Sequence, residues 1–241
     1  MLRYFEKVYA EGPKKFEQLL DKRLKNEEKT FIVTANPETL MIGKSNKEFD
    51  AVLCDSDTII TPDGIGVVKG AAMLNYPVAD RVTGVDIVKY LFKILNETGK
   101  SLYLFGAKPE VVKALADRIG LEYPHIVLSG YADGYVKDKD EIFKDIIEKQ
   151  PDVVLVALGI PAQELLIHKH YDKFTKGIFV GVGGSFDVLS GMKKRAPKFF
   201  VNHNLEWLYR ICKEPKRMKR FYKSNVKYLS EIKRIKKGMS K

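Results

Sequence analysis

The segment that decides the fold is Val153–Leu158, which has the sequence VVLVAL and runs directly into Gly159–Glu164, GIPAQE. A short apolar run without polar alternation is typical of a strand that is buried on both faces. The glycine and proline that follow predict a turn, and residues 162–173 have the spacing of a helix. The sequence here predicts a buried strand that delivers a polar turn to the start of a helix.

The same strand–turn–helix pattern recurs along most of the chain. Further buried strands are predicted at Phe31–Thr34, Ser101–Phe105 and Gly177–Val180, and helices at 13–26, 37–47, 64–75, 84–98, 108–119, 138–149 and 162–173. Alternation at this spacing predicts an α/β fold with a mostly parallel sheet and helices on both of its faces. In such sheets the ligand lies beyond the carboxyl ends of the strands, so the polar turns there are the candidate site.

Composition excludes several classes of protein. The 241 residues are 45% hydrophobic and 30% charged, as in a globular protein rather than a collagen or a disordered chain. The longest apolar run, Val153–Ile160, is far shorter than the ~20 residues that a membrane-spanning helix needs. The N-terminus has no secretory signal, and with only Cys54 and Cys212 a disulfide framework is implausible. We therefore expect a cytoplasmic protein.

Positive charge is concentrated at the C-terminus. The chain has 42 Lys and Arg against 31 Asp and Glu, a net charge of +11. From Lys193 onward there are 17 basic and 3 acidic residues, so residues 1–192 balance to −3. The strand–helix alternation also stops after Gly191. We therefore divide the chain into an α/β core, 1–192, and a basic helical C-terminal appendage, 193–241.

The appendage has the pattern of a basic amphipathic helix. Its apolar residues recur at helical spacing between Lys and Arg: Met218, Phe221, Tyr222, Val226, Leu229, Ile232 and Ile235. A helix of this kind either packs its apolar stripe on the protein's own core or lies in the interface of an anionic membrane. Different segments of one helix can do each, and the sequence leaves both alternatives open.

Two turns contain candidate site residues. Gly181–Ser185, GVGGS, is a glycine-rich strand-to-helix turn whose backbone N–H groups could approach a nucleotide phosphate, although it lacks the Walker pattern. Its alternative role is a tight turn capped by Ser185. Asp63, in TPDGIG, is expected either to cap the helix that follows it or to act as a general base at a cleft.

No metal site is predicted. Asp55-Ser56-Asp57 has the Asp-x-Asp pattern of some metal-dependent sugar-nucleotide enzymes, but three residues are weak support and loop capping is the favoured interpretation. The four histidines have no ligand spacing, since His168 and His170 would lie on different faces of a helix.

Several motifs follow one another along the chain: TANPE at 34–38, PDGIGVV at 62–68, RVTGVD at 81–86, ALGIPAQE at 157–164, GVGGSFDV at 181–188, KKRAP at 193–197 and EWLYR at 206–210. This ordered set resembles the WecG/TagA/CpsF glycosyltransferases, glycosyltransferase family 26, and within them the TagA-like N-acetylmannosaminyltransferases. The resemblance runs from about residue 30 to 220. One departure is Ala35, where some members have proline.

The resemblance implies a Rossmann-like core with an appendage that aids membrane association and completes the active site. It further implies an inverting enzyme, without a required metal or other cofactor, at the inner face of the cell membrane. The implied reaction moves a sugar, N-acetylmannosamine in the best-known case, from a UDP-sugar to polyprenyl-diphosphate-linked GlcNAc in teichoic acid linkage synthesis.

The resemblance also implies roles for particular residues. Asp63 matches the family's proposed general base, and Thr34, Asn36 and Gln163 match polar residues near the reacting sugars. The predicted nucleotide and diphosphate contacts are Gly183, Gly184, Ser185, Asp187, Arg210, Arg217 and Arg220. Without a metal, arginines and backbone N–H groups would have to stabilise the departing UDP.

The sequence has two alternative functional interpretations. The same fold could use another UDP-hexose or a UDP-uronic acid in capsule or exopolysaccharide synthesis, and no residue of the sequence separates these donors. A protein that binds nucleic acid through its basic tail is the alternative from another class, but it would make the polar turns accidental. We therefore expect an anionic membrane surface as a partner and no nucleic acid. The oligomeric state, including a homo-oligomer, is left open.

Overall fold

The computed structural model describes residues 1–213 and 216–239, without the side chains of Asn202, Arg210, Lys216, Arg217, Lys219 and Arg220. Six strands form one sheet: β1 Thr30–Ala35, β2 Thr58–Pro62, β3 Ser101–Gly106, β4 Val127–Ala132, β5 Val153–Ala157 and β6 Ile178–Gly181. All of its strand pairs are parallel, in the order β2-β1-β6-β5-β3-β4. The predicted α/β fold is thus confirmed.

Helices cover both faces of the sheet. They are α1 Leu2–Phe5, α2 Pro13–Lys25, α3 Pro37–Ser45, α4 Lys47–Cys54, α5 Ile65–Met73, α6 Gly84–Thr98, α7 Pro109–Glu122, α8 Lys139–Lys149, α9 Ala162–His170, α10 Ser185–Leu189, α11 Lys198–Asn202, α12 Glu206–Lys213 and α13 Lys216–Met239. One apolar cluster packs α2, α6, α7 and α10 on one face, and a second packs α3, α4, α5, α8, α9 and α13 on the other.

The four predicted strands are confirmed, and two edge strands were missed. β2 is short and ends in Pro62, and β4 includes Ser129 and Gly130 and is only partly buried. β2 is buried at four of its five positions, but its threonines and Pro62 interrupt the apolar run. β4 lacks such a run because it is only partly covered.

The helix predicted over 37–47 is confirmed as α3, which ends at Ser45, but the next helix, α4, was missed. The side chain of Asn46 separates the two helices, since it accepts a hydrogen bond from the Phe49 N–H at 3.0 Å and so caps α4. The other predicted helices are present within a few residues of their expected ends.

Helix α13 packs its second half on the body of the protein. Tyr228 and Ile232 are fully buried in the cluster that contains Leu40 of α3 and Val67 of α5. Lys44 of α3 also forms an ion pair with Glu231 at 2.8 Å. This segment of the predicted stripe therefore packs on the protein's own core. The division at residue 192 stays a prediction.

The outer face of α13 remains exposed. Met218, Tyr222, Val226 and Leu229, which are all members of the predicted stripe, lie on this face. No helix within the described ranges combines the length and the apolar character that crossing a membrane requires.

Candidate active site

The carboxyl ends of β1 and β6 form the topological switch point of the sheet, where a ligand crevice is expected. The two strands are neighbours, with Val33 opposite Gly181, yet the chain leaves them toward opposite faces of the sheet. After β1 it enters α3, which packs in one apolar cluster, and after β6 it enters α10, which packs in the other. Such a reversal opens the crevice in which parallel sheets bind ligands.

Asp63 lies at this crevice, directly after β2. Its backbone N–H donates to the carbonyl of Ala35 at 2.9 Å, and its Oδ1 accepts a hydrogen bond from the Gly84 N–H at 2.7 Å. The expectation that Asp63 caps the following helix is wrong, because the N-cap of α5 is Gly64, without a side-chain cap. The carboxylate instead meets the first residue of α6, where the positive end of the helix favours negative charge.

Thr83, Asp86 and Arg195 form a cluster, here called the Asp86 cluster, that fixes the start of α6 beside Asp63. The Thr83 hydroxyl donates to Asp86 Oδ2 at 2.6 Å and accepts from the Asp86 N–H at 3.3 Å. Arg195 donates to both Asp86 oxygens, at 2.8 and 3.2 Å. Although partial burial opposes it, hydrogen bonds from Arg195 and Thr83 hold the pKa of Asp86 below its usual range. Arg195 is also close enough to interact electrostatically with Asp63.

Sequence reasoning gave no role to this cluster, although a signal was present. Thr83 and Asp86 stand three residues apart at the start of an amphipathic run, which is the spacing of a reciprocal cap at a helix N-terminus. Nothing local in the sequence pairs Asp86 with Arg195, since the two residues are 109 positions apart.

Thr34 and Asn36 lie at the same edge, and both make structural bonds. The Thr34 hydroxyl donates to the Gly181 carbonyl at 2.8 Å and so ties β1 to β6 across the crevice. Asn36 Oδ1 accepts from the Glu38 and Thr39 N–H groups at 2.8 and 3.1 Å, which makes Asn36 the N-cap of α3. Contact of either side chain with a sugar stays a prediction.

The glycine-rich turn after β6 is held by Gln163. Gln163 Oε1 accepts from the Gly183 and Gly159 N–H groups, both at 3.1 Å, so one side chain joins the turns that follow β5 and β6. Gly183 has a φ of +49°, which favours glycine. The N-cap of α10 is Gly184, so the alternative of Ser185 as the cap is wrong.

The structure describes the side chains of only some of the other predicted substrate contacts. Asp187, on α10, lies 3.8 Å from the Lys193 Nζ through its Oδ1. The side chains of Arg210, Arg217 and Arg220 lie outside the described residues. Helix α12, which contains Arg210, is linked to the Asp86 cluster because Glu206 Oε1 lies 3.9 Å from Arg195 Nε. Nucleotide and diphosphate contacts stay predictions.

The Asp55-Ser56-Asp57 loop comes directly before β2, at the amino ends of the strands and so at the opposite end of the sheet from Asp63. Asp55 accepts a hydrogen bond from the Asp57 N–H at 2.9 Å and contacts His168 at 3.1 Å, as expected of a loop cap. Across the described ranges, no group of three or more His, Cys, Asp or Glu side chains is arranged to hold a metal ion.

Comparison with known proteins identifies the family of the chain. The sequence pattern of the glycosyl transferase WecG/TagA/CpsF family matches residues 7–240. The chain belongs to the WecG/TagA/CpsF family of glycosyltransferases. The match covers residues of both the predicted core, 1–192, and the predicted C-terminal appendage, 193–241.

Three similar proteins are named N-acetylglucosaminyldiphosphoundecaprenol N-acetyl-beta-D-mannosaminyltransferase. The protein of Bacillus spizizenii is 42% identical over 202 residues, which cover 84% of this chain and 78% of the relative. The Bacillus subtilis protein is 43% identical over 189 residues, 78% and 73% of the two chains. The Staphylococcus aureus protein is 35% identical over 212 residues, 88% and 82% of the two chains.

Proposed function

We propose that this glycosyltransferase moves N-acetylmannosamine from UDP-N-acetylmannosamine to GlcNAc-diphosphoundecaprenol in the synthesis of the teichoic acid linkage unit. The observation that carries the proposal is the position of Asp63, at the crevice between β1 and β6 and at the N-terminus of α6. The names of the relatives support this donor and acceptor.

In the proposed reaction, Asp63 takes the proton of the acceptor hydroxyl as its oxygen attacks the anomeric carbon of the donor. The bond between that carbon and the diphosphate oxygen breaks, UDP leaves with the electron pair, and the anomeric configuration inverts. General-base catalysis of this kind contributes about 10²–10⁴-fold to the rate. Arg217, Arg220 and the N–H groups of the glycine-rich turn would stabilise the departing diphosphate without a metal.

The test is transfer from UDP-N-acetylmannosamine to a short-chain GlcNAc-diphospholipid in the presence of EDTA. We compare the wild type, Asp63→Asn and the matched control Asp57→Asn, which makes the same change at the opposite end of the sheet. We expect product from the wild type and the control, and a loss of at least about 100-fold in Asp63→Asn.

Each other outcome has a definite meaning. If the wild type forms product only when EDTA is omitted, the reaction is not independent of metal ions. Equal rates for wild type and Asp63→Asn would show that the base lies elsewhere. No product from any of the three proteins would point to another donor, which a panel of UDP-sugars would then identify.

We further propose that α13 holds the enzyme on the inner face of the cell membrane. Tyr222 is 70% exposed and shares the outer face with Met218, Val226 and Leu229, while Tyr228 points into the body. The lysines that α13 exposes to solvent are Lys223, Lys227, Lys233, Lys236 and Lys237. A lysine near an anionic leaflet contributes about 1 kcal/mol, and apolar side chains add to this when they enter the interface.

Vesicle flotation tests this placement. We expect Tyr222→Ser/Leu229→Ser to weaken binding to anionic vesicles by about 10-fold or more, because each of these exposed side chains would contribute about 1 kcal/mol when half inserted into the membrane interface. The matched control is Tyr135→Ser/Leu121→Ser, which removes the same two residue types from exposed positions elsewhere. Equal binding of both double variants would contradict the proposed orientation of α13.

A further inference from the structure

Glu164 is a buried acid beside the crevice to which no role has been given. It is 0% exposed, and its Oε1 accepts a hydrogen bond from Gln163 Nε2 at 2.7 Å. Its Oε2 is buried without a hydrogen-bond partner, and Glu164 forms no ion pair within the described part of the chain. A carboxylate buried without a cation is costly, so the group shifts toward its neutral form. Accordingly, burial raises the pKa of Glu164 to about 7.

The contacts of Gln163 show what this acid does. Gln163 Oε1 already accepts two backbone N–H groups, from Gly159 and Gly183. The amide is therefore correctly oriented only if its Nε2 faces an acceptor, and that acceptor is Glu164 Oε1. If the amide turned over, its N–H₂ group would face two N–H donors. A neutral carboxyl suits this position, because its carbonyl oxygen accepts and needs no countercharge.

Strand β6 leaves room for the pair. A Cβ added to Gly181 would lie 2.7 Å from Gln163 Nε2 and 2.8 Å from Glu164 Oε1, both closer than real contacts allow. Gly181 also accepts the Thr34 hydroxyl bond through its carbonyl. Gly181, the last residue of β6, therefore contacts Thr34 at the crevice through its carbonyl and leaves space for the buried pair where a side chain would be.

We propose that Glu164 is a positioning residue, whose carboxyl oxygen holds the Gln163 amide so that it fixes the turns after β5 and β6 for binding of the donor's nucleoside diphosphate. The inference rests on the proposed function, since it takes a UDP-sugar as the donor. Glu164 itself does not touch the substrate. It acts through Gln163 on the backbone of Gly183.

The test measures UDP binding by calorimetry together with steady-state kinetics, for Glu164→Met and Glu164→Gln. Met has a similar shape and no acceptor, whereas Gln keeps an acceptor oxygen and cannot ionise. We expect Glu164→Met to weaken UDP binding and raise the donor KM by about 10-fold, or about 1.4 kcal/mol, with the acceptor KM unchanged. Glu164→Gln should restore both values to within about 3-fold of the wild type.

A second variant guards against a folding defect in Glu164→Met. Gly181→Ala keeps the chemical groups of both side chains but displaces the pair, and we expect the same rise in donor KM. Circular dichroism of each variant checks that it is folded.

Different failures overturn different statements. If the wild type does not bind UDP, the proposed donor class fails. If the wild type binds UDP and Glu164→Met binds it equally well, Glu164 is not a positioning residue. If Glu164→Gln loses binding as Glu164→Met does, the negative charge matters rather than the acceptor, and the inference is also wrong.

Discussion

Tyr228→Ala tests how the C-terminal helix is attached to the enzyme. Tyr228 is 1% exposed, and its hydroxyl donates to the Gly66 carbonyl of α5 at 3.1 Å. The ring lies against Gly70, where an added Cβ would be 2.0 Å from the hydroxyl oxygen. The two helices thus approach closely because Gly70 has no side chain, and Tyr228 fills the resulting space.

The magnitude follows from these contacts. Replacement of a buried aromatic residue by Ala costs about 3–5 kcal/mol of unfolding free energy, because the cavity collapses only in part. Tyr228→Phe removes one buried hydrogen bond and should cost about 1 kcal/mol. Tyr222→Ala is the matched control on the same helix, because Tyr222 is 70% exposed, and should change stability by less than about 0.5 kcal/mol.

Guanidinium unfolding followed by circular dichroism measures these changes, and turnover is assayed under conditions where each variant is folded. We expect Tyr228→Ala also to lower turnover by about 10-fold or more, because α13 contains Arg217 and Arg220 and its partner α5 begins two residues after Asp63. A cost below about 1 kcal/mol would refute the packing argument. Full turnover despite the expected cost would refute the link between α13 and the site.

Two further predictions separate structural from functional roles. Asn36→Ser should change stability by no more than about 1 kcal/mol, because a hydroxyl also caps a helix; its turnover should fall about 10-fold if the amide contacts a sugar, and unchanged turnover would leave Asn36 as a cap alone. Asp152→Asn should lower stability and leave the kinetic constants unchanged. In the wild type, burial raises the pKa of Asp152, but hydrogen bonds from Ser101, Lys176 and Lys100 outweigh burial and hold this pKa well below its usual range. Its contribution is therefore complete above about pH 4 and is lost as the pH falls, so urea unfolding of the variant should depend less on acid pH.

Much of the fold could be predicted because the central strands are continuous apolar runs. β5 is buried at every position, and its sequence identified it at once. β4 could not be identified in this way, since it is only partly buried and its sequence mixes Ser129 and Gly130 with apolar residues. Helix α4 was missed because it begins two residues after α3 ends, with a single capping bond of Asn46 between them and no loop that would mark a new element.

The positions of the candidate site residues were predictable where a motif stays at one strand end. Asp63, Thr34 and Gln163 were named through motifs of the family resemblance, and the structure brings them to the carboxyl ends of the strands, while their roles stay predictions. The partner of Asp63 was not predictable, because Gly84 follows 21 residues later and offers only a backbone N–H. Glu164 was passed over because its burial depends on the space that Gly181 leaves, which spacing in the sequence does not reveal.

The C-terminal segment meets the surroundings of Asp63 from two directions. Arg195 holds Asp86 on α6, the helix whose first N–H binds the Asp63 carboxylate. Tyr228 holds α5, the helix that begins just after Asp63. Removal of residues 193–241 would therefore free both helices that flank the base, besides exposing the apolar surface that Tyr228 covers. We therefore expect that deletion to abolish turnover even toward a soluble acceptor, for a reason within the fold that is separate from any contact between the segment and the membrane.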